Sequence, residues 1–159
     1  MISIRIEKTT DVTAREALLD EAYGPSRFRK PSEKIRRGRQ PAEGLALVAV
    51  DGDRIVGTAR LWHVACGDRP AMLLGTVAVA CDRQLGGIGA ALIAQAVDAA
   101  RARGHRAIVL VGDAPYYGRF GFTSDKTGAR AMTGPLTRTE PRHRPRQPAA
   151  VTRKQLAAK

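Results

Sequence analysis

Three glycines lie within four residues in the segment from Cys81 to Ala100, where residue type and spacing first suggest chemistry. Gly86, Gly87 and Gly89 follow an apolar run and precede a stretch with helical periodicity. The first N–H groups of a helix have no partner within the helix, and the helix dipole favours negative charge at that end. Glycines also let a phosphate approach the backbone closely. The segment therefore predicts a site for a phosphate-bearing ligand.

Two familiar nucleotide-binding patterns do not fit this loop. Leu92 holds the third position of a dinucleotide-binding glycine pattern, and no acid follows a strand about 20 residues further on. No Lys-Ser or Lys-Thr pair follows the glycines, so the loop is not a P-loop. An isolated glycine motif is also a weak signal, and the glycines could simply turn the chain without a ligand. The glycines alone leave both interpretations open.

The composition limits the classes of protein to which the chain can belong. Its 159 residues are enough for one domain with a buried core. The apolar runs are too short to cross a membrane and the start has no signal-peptide pattern, so we expect a cytoplasmic protein without membrane contact. Cys66 and Cys81 have no Cys or His partner at metal-ligand spacing. We therefore expect reduced, packed thiols and no metal site.

The net charge of +12 is concentrated in two segments. Residues 129–159 contain eight Lys or Arg and one acid, and residues 26–40 contain seven Lys or Arg and one acid. Such a charge suits anionic partners, which include phosphates, acidic ligands and nucleic acid. The chain is only 4% aromatic, however, which leaves little material for stacking on bases. We therefore expect a solvated surface and a disordered end more than a nucleic-acid interface.

The elements around the glycine loop follow the order of an α/β domain with a mixed sheet. Apolar alternation and glycine, proline and capping signals define them. In chain order they are a strand over 2–7, a helix over 12–23 capped by Thr10 or Asp11, a short helix around 31–38, a hairpin of 45–50 and 54–64 around the turn at 51–53, a strand over 71–79 with a bulge at Gly75, a helix over 87–103 ended by Gly104, a strand over 107–112 and a short helix begun by Pro115.

Two segments resemble motifs of the GNAT acyl-CoA N-acyltransferases. QLGGIGA at 84–90 is similar to the family's Gln/Arg-x-x-Gly-x-Gly/Ala signature, and YYGRFGF at 116–122 to its Tyr-x-x-x-Gly-Phe close. Both motifs lie in the right order, with a helix and a strand between them, which is more specific than either alone. The resemblance covers residues 1–128, most closely to the bacterial subgroup with a GDxxYYxRFGF-type segment. It implies a GNAT domain with a mixed, twisted sheet flanked by helices, followed at 129–159 by a basic Pro/Arg-rich tail, disordered or divergent.

The resemblance implies a co-substrate and a set of residues that hold it. Acetyl-CoA would place its pyrophosphate on the amides of the glycine loop and pair its pantetheine arm, like an extra strand, with the strand before the loop. The Gly75 bulge would splay that strand from the strand over 107–112 and leave backbone groups open for the arm. The implied cofactor-binding residues are Val77, Ala78, Val79, Gln84, Leu85, Gly86, Gly87, Ile88, Gly89 and Ala90.

By the same resemblance, Tyr117 is the acid that protonates the leaving CoA thiolate. The alternative for Tyr117 is a core tyrosine, and Tyr116 is expected to pack. The attacking amine must be neutral, which requires a base or a chain of waters. His63 and Glu33 are the candidates, but a lone His at a strand end is more often structural, and we assign no base.

Three hypotheses about function follow. The first is an N-acetyltransferase that passes an acetyl group from acetyl-CoA to a primary amine of a small molecule or protein, by direct attack in a ternary complex without a metal. The second is a non-catalytic acyl-CoA-binding or regulatory module, which would keep the loop but not need Tyr117. The third is a basic protein associated with nucleic acid.

The chain departs from the family pattern in two places. Thr76 stands where the subgroup usually has proline, and residues after Gly128 show no apolar pattern of a final strand. Without that strand, the strand over 107–112 would expose an edge that invites pairing with another chain. A homodimer is therefore an expectation, together with an incomplete wall around the acceptor.

Overall fold

The computed structural model describes residues 1–29, 36–66, 69–112, 117–122 and 150–155, and a sheet with helices packed against it occupies its centre. The strands and the longer helices among these residues are β1 (Ile2–Ile6), α1 (Val12–Tyr23), β2 (Ala46–Asp51), β3 (Arg54–Cys66), β4 (Arg69–Val79), α2 (Ile88–Ala102), β5 (Ala107–Gly112) and β6 (Ala150–Gln155). Within the described ranges, no helix is long and apolar enough to span a membrane.

The strands form one mixed sheet in the order β1-β2-β3-β4-β5-β6. Neighbouring strands are antiparallel except β4 and β5, which are parallel. The turn between β2 and β3 contains Gly52 at φ 61°, a left-handed conformation that glycine adopts without strain. The α/β fold with a mixed sheet and the hairpin at 51–53 are therefore confirmed.

Helix α2 packs its apolar face onto the sheet. The buried residues of this helix are Ile88, Leu92, Ile93, Ala96, Val97 and Ala100, which recur at helical spacing. The helix lies so close to β3 that a Cβ atom at Gly57 would lie 2.8 Å from Cδ1 of Leu92. Gly57 thus permits the close approach that fixes the start of α2 beside the end of β4.

Strand β4 changes its neighbours halfway along its length. It pairs with β5 through Met72 and Leu73, and from there to Val79 its pairings within the described residues are with β3. The pairing with β3 shifts at this point, so that Gly75 and Thr76 together lie opposite Arg60. The bulge predicted at Gly75 is confirmed, and beyond it β4 stays paired with β3 while β4 and β5 separate.

The end of the chain adds a strand that the sequence analysis did not predict. Residues 150–155 pair with the whole of β5, from Ala107 opposite Gln155 to Gly112 opposite Ala150. These six residues form a strand within the segment expected to be disordered or divergent, because an otherwise unpaired strand edge can be satisfied by a short segment without a long apolar pattern. The sheet therefore extends past the domain boundary predicted at residue 128, and the edge argument for a homodimer loses its basis. The rest of the predicted tail and most of the short helix around 31–38 lie outside the described residues.

Thr58 provides a test of the packing around β3. Its side chain is fully buried, and its Oγ1 atom has no hydrogen-bond partner in the described parts of the chain. A buried hydroxyl without a partner is unfavourable, and valine has nearly the same shape. We predict that Thr58→Val raises the free energy of unfolding by about 1 kcal/mol, measured by urea denaturation. Thr58→Ser, which keeps the hydroxyl, should destabilise the protein, and a loss of stability in Thr58→Val would contradict the prediction.

Candidate functional site

The glycine loop begins as a short 3-10 helix at Cys81–Gly86 and turns into α2 through Gly87. Gly87 has φ 73° and ψ 12°, and no side chain caps the helix there. The first backbone bond of the helix joins Ala91 N to Gly87 O at 3.0 Å. The N–H groups of Ile88, Gly89 and Ala90 therefore precede the first helical bond, as expected for a helix start that can receive an anion.

Gly86 and Gly87 leave room for a ligand on the side where a side chain would project. Among the described residues, a Cβ atom at Gly87 would meet nothing within 4 Å, and the nearest atom to one at Gly86 would be 3.9 Å away. Leu85 is fully exposed. A left-handed residue here disfavours any side chain, above all a branched one. The loop thus combines backbone donors, a need for glycine and room for a ligand.

Two crossed ion pairs hold the glycine loop against the β2–β3 turn. Arg54 donates two hydrogen bonds to Asp82, at 2.7 and 3.0 Å, and Arg83 donates one to Asp51 at 2.7 Å. The bonds from Arg54 lower the pKa of Asp82. From the sequence, the Asp-Gly-Asp turn predicts a hairpin but not this link to the glycine loop. The signal that could have revealed the link is the presence of an acid and an arginine in each turn, Asp51 with Arg54 and Asp82 with Arg83.

Cys81, at the start of the loop, differs from its expected role. The residue is a free cysteine and is exposed, not packed in the core. Its backbone N–H lies 3.5 Å from a carboxylate oxygen of Glu21, and the side-chain hydrogen bond to Glu21 raises the pKa of the Cys81 thiol. The thiol is therefore held in its neutral form beside α1. The side chain of Cys66 is not among the described ones.

The last residues of β4 turn backbone groups toward the gap between β4 and β5. Ala80 N donates to Val56 O at 2.9 Å, so by alternation Ala78 also exchanges hydrogen bonds with β3. The N–H and C=O groups of Val77 and Val79 then point away from β3, on the side where β5 has separated. Val77 and Val79, two of the three β4 residues implied by the family resemblance, therefore present their backbone groups to the gap.

Tyr23, the last residue of α1, reaches this same stretch of β4. Its hydroxyl donates a hydrogen bond to the carbonyl oxygen of Val77. Burial raises the pKa of the Tyr23 hydroxyl, while the charge of Arg36 opposes that rise. The sequence analysis did not single out Tyr23, because nothing local links a helix end to a strand 54 residues away.

Tyr117 belongs to a compact aromatic group at the end of the predicted motif. Its ring lies 6.5 Å from that of Phe120 and 6.1 Å from that of Phe122. Phe120 N donates to Tyr117 O at 3.0 Å, which closes the turn. Tyr117 is half-buried and packs against the same core cluster as Val77 and Val79. Tyr116 lies outside the described residues.

His63, one of the two candidate bases, does not lie at the glycine loop. His63 is exposed on β3, opposite Met72, and its ring lies 5.6 Å from that of His105. The residues of β3 that face Val77 and Val79 are Ala59 and Gly57, several positions away. Glu33 lies outside the described residues. No group of three or more metal-ligating side chains is found in the part of the chain that the structure describes.

Comparison with known proteins now identifies the class of protein that this fold and loop define. Residues 12–122, well over half of the chain, match the model of the Acetyltransferase (GNAT) family. The chain belongs to the GNAT acetyltransferase family, as its two motifs indicated. No curated protein matches it significantly.

Several crystal structures share the fold. A GNAT family acetyltransferase from Brucella melitensis in complex with acetyl-CoA is 27% identical, over 85% of this chain and 90% of that one, with a TM-score of 0.68. The Escherichia coli GNAT family N-acetyltransferase YhbS, in complex with CoA, is 22% identical over 98% and 82%, with a TM-score of 0.75. The ribosomal-protein-S18-alanine N-acetyltransferase from Escherichia coli is 18% identical over 100% and 96%, with a TM-score of 0.67.

The ion pairs at the loop lead to a prediction about its local order. Arg54→Asp places like charges together, so we expect faster amide hydrogen exchange over residues 82–90 and little change in global stability, because exposed pairs contribute little. The double variant Arg54→Asp with Asp82→Arg should restore the slow exchange. Arg101→Asp breaks an exposed pair with Asp98 within α2 and should leave the loop unchanged. Exchange at the loop that is equal in Arg54→Asp and the wild type would refute the anchoring role.

Proposed function

We propose that this chain transfers an acetyl group from acetyl-CoA to a primary amine of a small molecule or protein, by direct attack in a ternary complex. The observation that carries the proposal is the uncapped start of α2 at Gly87, adjacent to the stretch of β4 that β5 leaves unpaired. The first feature suits a pyrophosphate and the second suits an extended chain with amide groups. Acetyl-CoA has both.

The glycine loop would bind the pyrophosphate. Backbone N–H groups from Leu85 to Ala90 are the donors, with the dipole of α2 behind them, and Gln84 opens the loop. In the part of the chain that the structure describes, no bulky side chain stands over Gly86 or Gly87. The net charge of +12 also favours the approach of a polyanion.

The pantetheine arm would extend the sheet at β4. An extended ligand that carries amides can pair with an open strand as another strand would. Val77 and Val79 direct backbone groups into the gap, and Ala78 holds the strand to β3 between them. The arm would thereby bring the thioester to the bulged part of β4.

The reaction needs a nucleophile and a proton for the leaving group. The amine nitrogen attacks the thioester carbonyl carbon, the carbon–sulfur bond breaks, and the sulfur leaves with the electron pair as a thiolate. The Tyr117 phenol is the group that we assign to give that thiolate a proton. The attacking nitrogen releases its own proton to water or to a base that we do not assign.

The turn at Gly87 offers a direct test of ligand binding. Gly87→Val forces a branched residue into a left-handed conformation and places it over the amides, so acetyl-CoA binding measured by calorimetry should be lost. Gly104→Val is a matched control, because Gly104 has φ 82° and an equally open Cβ direction at the other end of α2. That control should lose stability but bind acetyl-CoA. Wild-type affinity in Gly87→Val would remove the loop from the site.

The role of Tyr117 is tested by Tyr117→Phe, which keeps the ring between Phe120 and Phe122. We expect unchanged acetyl-CoA affinity and a turnover number lowered roughly a hundredfold, since a positioned acid contributes at least that much. Release of free CoA thiol in the presence of a panel of primary amines measures the rate.

The outcomes of this assay separate the remaining hypotheses. Unchanged turnover at saturating substrates would exclude Tyr117 as the acid. A wild-type protein that binds acetyl-CoA but turns over no amine of the panel would favour a non-catalytic acyl-CoA-binding module.

A further inference from the structure

We infer that Tyr23 is a positioning residue of the acyl-CoA site, because its hydroxyl satisfies the Val77 carbonyl, while the Val77 N–H faces the gap in which the ligand would lie. A carbonyl that already accepts one hydrogen bond needs no donor from the ligand, which matches a thioester, since a thioester offers an acceptor and no donor. Tyr23 would therefore set which part of the ligand lies against Val77. The inference rests on the proposed function, since it assumes that the pantetheine arm pairs with β4.

The position of Tyr23 is fixed by the end of α1. Gly24 follows at φ 71°, and its N–H donates to Asp20 O at 2.9 Å, which ends the helix there. The Tyr23 ring packs against the core cluster to which Val77 also belongs as a partly buried member. From this position the hydroxyl reaches Val77 O. Because burial keeps the hydroxyl protonated at neutral pH, it remains a donor.

The polarity of the arm explains why such a donor is useful. Each pantetheine amide has an N–H and a C=O, so it can pair with both backbone groups of a residue such as Val79, as strands do. The thioester has a carbonyl but no N–H. A strand carbonyl facing it would lose its contact with water and gain no partner, which is unfavourable. The Tyr23 hydroxyl satisfies that carbonyl from the protein side.

The test compares two ligands that differ by one donor. Acetyl-CoA is the first, and the second is its amide analogue, in which N–H replaces the thioester sulfur. In the wild type we expect about tenfold tighter binding of acetyl-CoA, because the analogue's N–H loses its hydrogen bonds to water and must share the Val77 carbonyl oxygen with the Tyr23 hydroxyl. In Tyr23→Phe the carbonyl is released, and this preference should vanish or reverse. Calorimetric titration gives all four affinities.

Thr58→Val is the matched control. It also removes one buried hydroxyl, from the residue of β3 opposite Ala78, but that hydroxyl makes no hydrogen bond within the described residues. The ratio of the two affinities should stay at its wild-type value in this variant. Thermal melting of each variant shows whether it is folded.

The outcomes distinguish failure of the proposed function from failure of the role assigned to Tyr23. Wild type that binds neither ligand overturns the proposed function and this inference with it. Wild type that binds acetyl-CoA, with the same ratio in Tyr23→Phe, overturns the role of Tyr23 alone and leaves it a structural residue. If Tyr23→Phe does not fold, the wild-type ratio still decides, because equal affinities for thioester and amide would contradict a donor-only position at Val77.

Discussion

The geometry around the glycine loop depends on how β4 divides its backbone hydrogen bonds between β3 and β5. The strand pairs with β3 along its length but with β5 through Met72 and Leu73 alone. The extra residue at the bulge opposite Arg60 marks the change. Backbone groups of a strand must be satisfied by protein, water or ligand, so the gap beyond Leu73 is a place where an extended ligand can complete the sheet. The glycine loop lies directly after this segment.

The position of the loop relative to the gap is set by packing and charge together. Gly57 lets the first turn of α2 approach β3, which brings the free N–H groups to the end of β4. The crossed pairs of Arg54 with Asp82 and Arg83 with Asp51 then tie the loop to the hairpin turn. Packing fixes the helix, and the ion pairs restrain the exposed residues before it, so the β2–β3 hairpin holds the loop beside β4 in the proposed ligand site.

The sequence predicted those features whose cause is local. The face of α2, the hairpin around Gly52 and the bulge at Gly75 each follow from periodicity or from a glycine within a few residues. The strand at 150–155 was missed because its pairing with β5 depends on a distant edge and leaves no strong pattern of its own. The bond from Tyr23 to Val77 was missed for the same reason, since it joins elements that are neighbours only in the fold. The parts of a site that are assembled by tertiary contact are those that single-sequence reasoning cannot reach.

Two cations of the basic segment at 26–40 depart from the solvated surface that its composition suggested, whereas Arg29, Arg37 and Arg39 are exposed as expected. Arg27 is buried, donates to Asp20 at 2.9 Å and pairs with Glu16, while Arg36 is buried with its guanidinium beside Gly75. Arg27 is therefore neutralised by two carboxylates of α1, and Arg36 packs beside the bulge of β4. The formal charge of the segment thus overstates the charge that these two side chains present to solvent. This weakens the part of the nucleic-acid hypothesis that rested on residues 26–40, because a phosphate backbone is bound through exposed cations.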